Sequence, residues 1–242
     1  MSREVNYNSI ILKKTAFGEA DEIITVLSEK TGKIRFLAKS VKLSKSKLQN
    51  SLQTFFLADL RVANSRSGKL HKIIGVEPRA LYTNLRANIS AIKAAYATAE
   101  ILIRFLPDEQ ENRGVFNLTK IFFDFLNSEN ISEAEIDTGL LSFKIKFLEL
   151  SGFGVKYPHK NEATALFFDN SKGGFVLSQT FSGLPVSPES LKLFLALKEA
   201  SFKDLNILSK KDIGEIKNQI DSFLEYQLER ELKAEKIMRN VV

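Results

Sequence analysis

The chain has 242 residues, of which 44% are hydrophobic and 26% charged, and it carries a net charge of +6. Those values exclude a disordered polymer and allow one large domain or two of ordinary size. There is no cysteine, which removes a disulfide framework, a thiolate zinc site and a cysteine nucleophile together, and fits a reducing compartment.

The first third reads as strands. "NSIILKKTAF" and "DEIITVLSE" are apolar, β-branched runs on either side of the turn-like "GEA" around Gly18, and "KTG" at Lys30–Gly32 makes the next turn. In "KIRFLAKSV" the alternation sends Ile34, Phe36 and Ala38 inward and puts Lys33, Arg35 and Lys39 on the outer face. A polar lysine loop follows, with a short helical turn expected near Lys47 to Ser51. "LQTFFLADLRVA" places Phe56, Ala58, Leu60 and Val62 on one face, "NSRSG" is a turn, and "KLHKIIGVEP" closes the series at Pro78. Five strands in so short a stretch, with no long helix between them, predict a small antiparallel barrel, and an OB-fold is the usual barrel of that size.

After Pro78 the apolar period becomes helical. "NLRANISAIKAAYATAEILIRFL" predicts one helix whose stripe runs through Ile89, Ile92, Ala95, Tyr96, Ala99, Leu102, Ile103 and Leu106, ended by Pro107. "FNLTKIFFDFL" predicts a second helix and "SEAEIDTGLLSFKIKFLEL" a third, with Ser132 and Glu135 at capping-box spacing and a stop at Gly152. Residues 156–185 read as irregular, with "NSKGG" as a hairpin-like turn. "SPESLKLFLALKEA" starts a helix at Ser187 and Pro188, and a last helix is expected over Lys211 to Arg239 with Ile213, Ile216, Ile220, Phe223 and Leu224 along one side. The expected class is α+β: a five-stranded OB-fold barrel over residues 1–80, then a helical domain over residues 81–242.

The charge is segregated. Between Lys30 and Gly75 there are eleven bases and one acid, Asp59, so this window carries +10 and the rest of the chain −4. A basic segment of this kind suits a polyanion, either nucleic acid or an anionic membrane surface; the bland alternative is a solvated lysine loop kept for solubility. Single strands also need stacking platforms, for which Tyr7, Phe17, Phe55 and Tyr82 are the candidates, whereas Phe36 and Phe56 read as core.

Catalytic chemistry is sparse. His71 and His159 lack a serine or acid setting, Glu19 and Asp21 flank a turn, and there is no P-loop, Rossmann glycine pattern or HExxH. The expectation is a binding protein, not an enzyme, with no small-molecule substrate. "MSREVNYNSI" lacks the pattern of a secretory leader and no run is long and apolar enough for a span, so no membrane role and a cytoplasmic location are expected.

The order of short motifs resembles the bacterial RecO family. The matching pieces are Phe17-Gly18-Glu19-Ala20-Asp21, then Gly32-Lys33-Ile34, then Ala38-Lys39-Ser40 with its lysine loop, followed by "LQTFFLADLRV" and "GKLHKIIGVEP". "ATAEILIRFLPDEQ", "FKIKFLELSGFGVKYP" and "LPVSPESLKLF" continue the similarity through the helical part, so it covers nearly the whole chain. The resemblance implies a recombination mediator in DNA repair, nucleoid-associated, that binds single- and double-stranded DNA through the barrel and anneals complementary strands. It implies as partners RecR, the single-strand-binding protein and, indirectly, RecA. Carried over by position, the DNA-contacting candidates are Lys33, Arg35, Lys39, Lys42, Lys45 and Lys47, with Arg61, Arg66, Lys69 and Lys72 beside them.

One departure concerns metal. Many members of that family carry a four-cysteine zinc knuckle where this chain reads "YPHKNEATALFFDNSKGGFVLSQTFSGLP", with His159, Ser178 and Phe181 near ligand places. One histidine cannot make a four-donor site, so a degenerate, metal-free knuckle is expected, held by Leu166, Phe167, Phe168, Phe175 and Val176, with no cofactor. Two other readings remain at this stage: an OB-fold RNA-binding module in translation or RNA handling, and an interaction scaffold whose lysines serve solubility. A basic-rimmed apolar groove around Lys192, Leu193, Phe194 and Lys198 is a candidate for a protein tail, which an ordinary amphipathic helix explains equally well.

Overall fold

The structure is a computed structural model and describes residues 4–43, 46, 48–65, 70–158, 165–205 and 210–228. Strands β1 (Glu4–Phe17), β2 (Asp21–Ser28), β3 (Gly32–Ala38), β4 (Leu57–Ala63) and β5 (Lys72–Ala80) close into a barrel in the order β1-β2-β3-β5-β4. Neighbours are antiparallel except β3 and β5, which meet in parallel at Leu37 and Lys72. This is the expected OB-type barrel. Alternation in β3 works as read: Ile34, Phe36 and Ala38 are buried while Arg35 is exposed. They fill the barrel with Ile11, Ile24, Val26, Phe56, Ala58, Leu60, Val62 and Ile73.

β1 departs from alternation, because Ser9, Ile10, Ile11 and Leu12 are all buried. Ile11 belongs to the barrel core, whereas Ile10 and Leu12, with Leu27 of β2, join the cluster built by the helices. A continuous apolar run here marks a strand covered on both faces. A register shift between Ile11 and Lys13 accommodates the change.

The helices are α1 (Thr83–Ala87), α2 (Ile89–Phe105), α3 (Arg113–Leu126), α4 (Glu133–Leu150), α5 (Pro188–Glu199) and α6 (Lys210–Leu228). The single helix expected over residues 84–106 is in fact two. Asn88 leaves helical geometry (φ −102°, ψ 118°) and its side chain accepts hydrogen bonds from the Ser90 and Ala91 N–H groups, starting α2 afresh. The buried face of α2 is then built from Ala91, Ala94, Ala95, Ala97, Ala99, Ile101 and Leu102, while Ile89 and Tyr96 are 71% and 49% exposed. Both had been placed on the inward stripe; the small alanines won the close-packed side. The capping box of Ser132 and Glu135 forms as expected, as does the Ser187 cap with Pro188 in the first turn.

α4 is the central helix and packs against α2, α3, α5 and α6. Its Phe143 stacks on Phe122 of α3 at 5.0 Å, and its Lys144 ammonium is buried against Asp221 of α6 at 2.7 Å. Ile213, Ile216, Ile220, Phe223 and Leu224 are buried along α6; the remainder of the predicted last helix lies outside the described residues. The segment expected to be irregular contains a small sheet: β6 (Phe167–Asp169), β7 (Gly174–Val176) and β8 (Leu184–Pro185), in the order β7-β6-β8. Leu166, Phe168 and Phe175 are buried there, and Phe167 and Val176 half-buried. Phe194, offered as part of a surface groove, is 1% exposed and belongs to the core, and Lys198 is paired with Glu149.

Candidate nucleic-acid interface

Barrel order sets β3, β5 and β4 side by side, and these strands carry the basic residues. At one end, Leu37 of β3 pairs with Lys72 of β5, the Leu37 N–H donates to the His71 carbonyl at 2.8 Å, and Lys72 in turn lies opposite Ala63 of β4. Lys39 follows directly on β3. Farther along, Arg61 lies opposite Gly75, and a side-chain carbon at Gly75 would come within 3.1 Å of the guanidinium. The glycine is the space into which the Arg61 side chain settles. A register shift between Arg61 and Val62 lets Ile73 and Val76 both pack toward the barrel interior while Lys72 stays outside.

The turn after β1 shapes the loop after β3. Gly18 has φ +65°, which favours glycine, and the turn it opens delivers Asp21 to the start of β2. The Asp21 carboxylate accepts the Ser40 N–H at 2.7 Å, the Lys42 N–H donates to the Ala20 carbonyl at 3.0 Å, and the Lys42 ammonium donates to the Gly18 carbonyl at 3.4 Å. Asp21 is thus a positioning residue for Lys39 and Lys42. Sequence spacing gave no hint of it, since its partner lies on another turn of the barrel.

Lys39, Lys42, Arg61 and Lys72 are exposed, and among the described residues none of them forms an ion pair. The one acid of the basic window, Asp59, is held by Arg79 at 2.5 Å, with Glu77 joining at 3.3 Å from the same guanidinium. The hydrogen bond to Asp59 and the charges of Asp59 and Glu77 raise the Arg79 pKa still further, and Asp59 is engaged by Arg79 and not by Arg61 or Lys72.

Lys33 and Arg35 are placed differently. Both face Asp108, which follows α2, at 3.1 Å and 3.4 Å, and the Lys33 ammonium also donates to the Ile103 carbonyl at 2.7 Å. The Lys33 side chain is only 13% exposed, and the Glu109 N–H donates to the Lys33 carbonyl at 2.7 Å. Lys33 therefore ties the barrel to the end of α2, where a cation offsets the unpaired carbonyls. Arg35 remains 58% exposed at the edge of this contact. Lys45, Lys47, Arg66 and Lys69 lie outside the described residues.

Of the aromatic candidates, Phe55 and Tyr82 are 3% and 4% exposed and pack around Phe123, so neither offers a face to a base. Both adopt positive φ, 74° and 47°. Burial, with Asp124 nearby, pushes the Tyr82 phenol well above its ordinary pKa. Tyr7 packs on Phe36 at 4.9 Å, and Phe17 alone of the four is exposed, at 50%, beside the Lys42 turn.

The described residues of the knuckle-like segment offer no metal donor set. Among the described residues no group of three or more histidine, aspartate or glutamate side chains comes together, Phe181 is fully exposed, and His159 lies outside the described residues. The segment is cross-linked instead through Asp169, which is fully buried. Its carboxylate accepts the Ser171 N–H at 2.8 Å, the Ser171 hydroxyl at 2.7 Å, the Ser182 hydroxyl at 3.0 Å and the Thr180 hydroxyl. The hydroxyls of Thr180 and Ser171, foremost among these donors, hold the carboxyl far below the usual range. Asn170 then fastens the hairpin to Ser222 of α6 at 2.8 Å.

The family follows from comparison of the whole chain. The model described as "Recombination protein O N terminal" matches residues 1–82, and "Recombination protein O C terminal" matches residues 86–236. The chain belongs to the Recombination protein O family. It is 27% identical over 237 residues to a DNA repair protein RecO of Dehalococcoides mccartyi, covering 93% of this chain and 91% of that one. It is 26% identical over 239 residues to a DNA repair protein RecO of Alkaliphilus metalliredigens, covering 95% and 91%, and 23% identical over 254 residues to one of Thermoanaerobacter, covering 99% and 98%. The barrel corresponds to the N-terminal family model and the helices to the C-terminal one. No helix among the described residues is long and apolar enough to cross a membrane.

Proposed function

We propose that this RecO-family chain is a DNA repair and recombination mediator, not an enzyme, whose barrel binds single- and double-stranded DNA through the β3–β5–β4 wall. The observation that carries the reading is the group Lys39, Lys42, Arg61 and Lys72, exposed on neighbouring elements and without ion pairs among the described residues. Such a surface neutralises phosphates without reading base edges. Two single strands then repel each other less while their pairing edges stay free, which is the physical requirement for annealing. Lys45, Lys47, Arg66 and Lys69, near these in sequence, are further candidates for the same role; Arg35 serves at the margin of the wall; Lys33 serves the junction. Phe17, exposed at the end of β1 next to the Gly18 turn that holds Lys42, is the stacking ring at the margin of this wall.

The division of labour in this reading is residues 1–80 for DNA and residues 81–242 for proteins: RecR, the single-strand-binding protein and, through them, RecA. Four to five phosphate contacts imply a log–log salt slope of roughly −3 on single strands. The test is strand annealing across a salt series, with and without single-strand-binding protein and RecR, alongside RNA strands of the same sequence. Annealing that weakens steeply with salt, and is favoured on DNA, supports the reading. Preference for RNA would move the chain to RNA handling, because RNA binders use the 2′-hydroxyl.

A further inference from the structure

The re-start of α2 at Asn88 leaves a partly exposed stripe of unusual chemistry. Ile89 and Tyr96 are exposed, with Ile92 and Lys93 half-buried between them, at helical spacing on the side away from the alanines, where an ordinary surface helix is charged. Exposed apolar residues grouped in this way mark a contact surface. Here they border a groove of about 200 Å³ lined by Gln53, Thr54, Phe55, Arg86, Ile92 and Tyr96.

The groove is built for flat, electron-rich rings. Tyr96 stands edge-on to Phe55 with ring centres 4.8 Å apart, and Phe55 is braced in turn by Phe123 at 5.6 Å. In the same groove the Arg86 guanidinium lies over the Phe56 ring at 4.9 Å and donates to the Thr54 carbonyl at 3.4 Å. Gln53 donates to the Gln49 carbonyl at 2.8 Å, which leaves its own amide oxygen as an acceptor. Among the described residues no acid lines the groove, and Arg86 supplies a positive charge, so an anionic ligand is favoured over a cationic one. The residues Gln53 to Phe55 are also the direct continuation of the lysine loop that begins at Lys39.

We propose that this groove is a nucleobase site: it accepts one unstacked base of a single strand whose phosphates meet Lys39 and Lys42, with Tyr96 and Arg86 as its stacking faces. The proposal rests on the DNA reading above and adds to it the base contact that the wall itself supplies only at Phe17. Aromatic and guanidinium faces hold bases of any sequence, as an annealing protein requires.

The test compares affinity for an oligo-dT strand with affinity for an abasic strand of equal length and charge. Wild type should prefer oligo-dT. Tyr96→Leu should cost at least about fivefold on oligo-dT, leave the abasic affinity and the salt slope unchanged, and Tyr96→Phe should restore wild-type binding. The abasic strand doubles as the folding control. An unchanged oligo-dT affinity in Tyr96→Leu, while charge reversal at Lys39, Lys42 and Lys72 weakens both strands, would overturn the base site alone and leave the groove to a protein ligand. Wild type binding neither strand would overturn the DNA reading and this site with it.

Discussion

The two sides of the barrel are made from the same strands and differ in what covers them. On the β1–β2 side, Ile10, Leu12 and Leu27 point out of the barrel into the cluster formed by the helices. On the β3–β5–β4 side, Arg35, Lys72 and Arg61 point outward and meet solvent, alongside the Asp59–Arg79–Glu77 group. Lys33 stands at the border, and there the helical part supplies Asp108 and the Ile103 carbonyl. The helices thus decide which barrel face is structural and which is free, and a cation at the seam is drawn into structure. High positive charge in a sequence window is therefore divided by tertiary contact into cations that hold the fold and cations left for a ligand.

The largest effect is expected on the covered side. Leu27→Asp removes a fully buried side chain and puts a carboxylate in its place, costing about 4 kcal/mol or more, read as loss of cooperative urea unfolding at the wild-type midpoint. At the seam, Lys33→Ala leaves the Ile103 carbonyl without its donor and Asp108 with Arg35 alone, and should cost about 1–3 kcal/mol, with DNA affinity changed less than by any single reversal on the open wall. Asp108→Asn sharpens the contrast in the other direction. With the acid gone, Arg35 is released to the wall, and single-strand affinity should rise about two- to threefold at low salt and converge on wild type as salt screens it.

The smallest effect is one of pH, far from the wall. The Asp169 carboxyl is held below its ordinary value, so its contribution is fully present above the unfolded-chain pKa, about 3.9, and fades as pH falls below that toward its folded value. Amide exchange in residues 169–182 should accelerate below about pH 4 while the barrel strands stay protected, and Asp169→Ala should show the same opening at neutral pH. A chelator should change neither. Opening on chelation in the wild type would contradict the hydroxyl–carboxylate account of this segment.

Local signals carried much of this architecture in the sequence itself. Period-two alternation in Ile34, Phe36 and Ala38 and in Phe56, Ala58, Leu60 and Val62 defined the barrel interior, and Ser132 with Glu135 and Ser187 with Pro188 defined two helix starts. These depend on neighbours a few residues away. The break at Asn88 was masked because Ile89 and Tyr96 fit a helical stripe that the alanines fit better. Phe55 and Tyr82 are buried by edge-on packing against Phe123, a partner far along the chain that local sequence does not reveal. The site was legible as a charge count but not as a geometry: Lys33 with Asp108, Asp21 with Ser40 and Arg79 with Asp59 are pairings of residues far apart in the chain, fixed only once the barrel closes on the helices.

The division between bound and free cations is tested most directly by the salt dependence of single-strand binding in three proteins: wild type, Lys33→Ala, and the triple reversal K39E/K42E/K72E. The log–log slope should stay near wild type in Lys33→Ala and fall by about two in the triple variant, whose thermal unfolding should match wild type. A slope that falls in Lys33→Ala and holds in the triple variant would contradict the account, since the phosphates would then lie on the seam and not on the open wall.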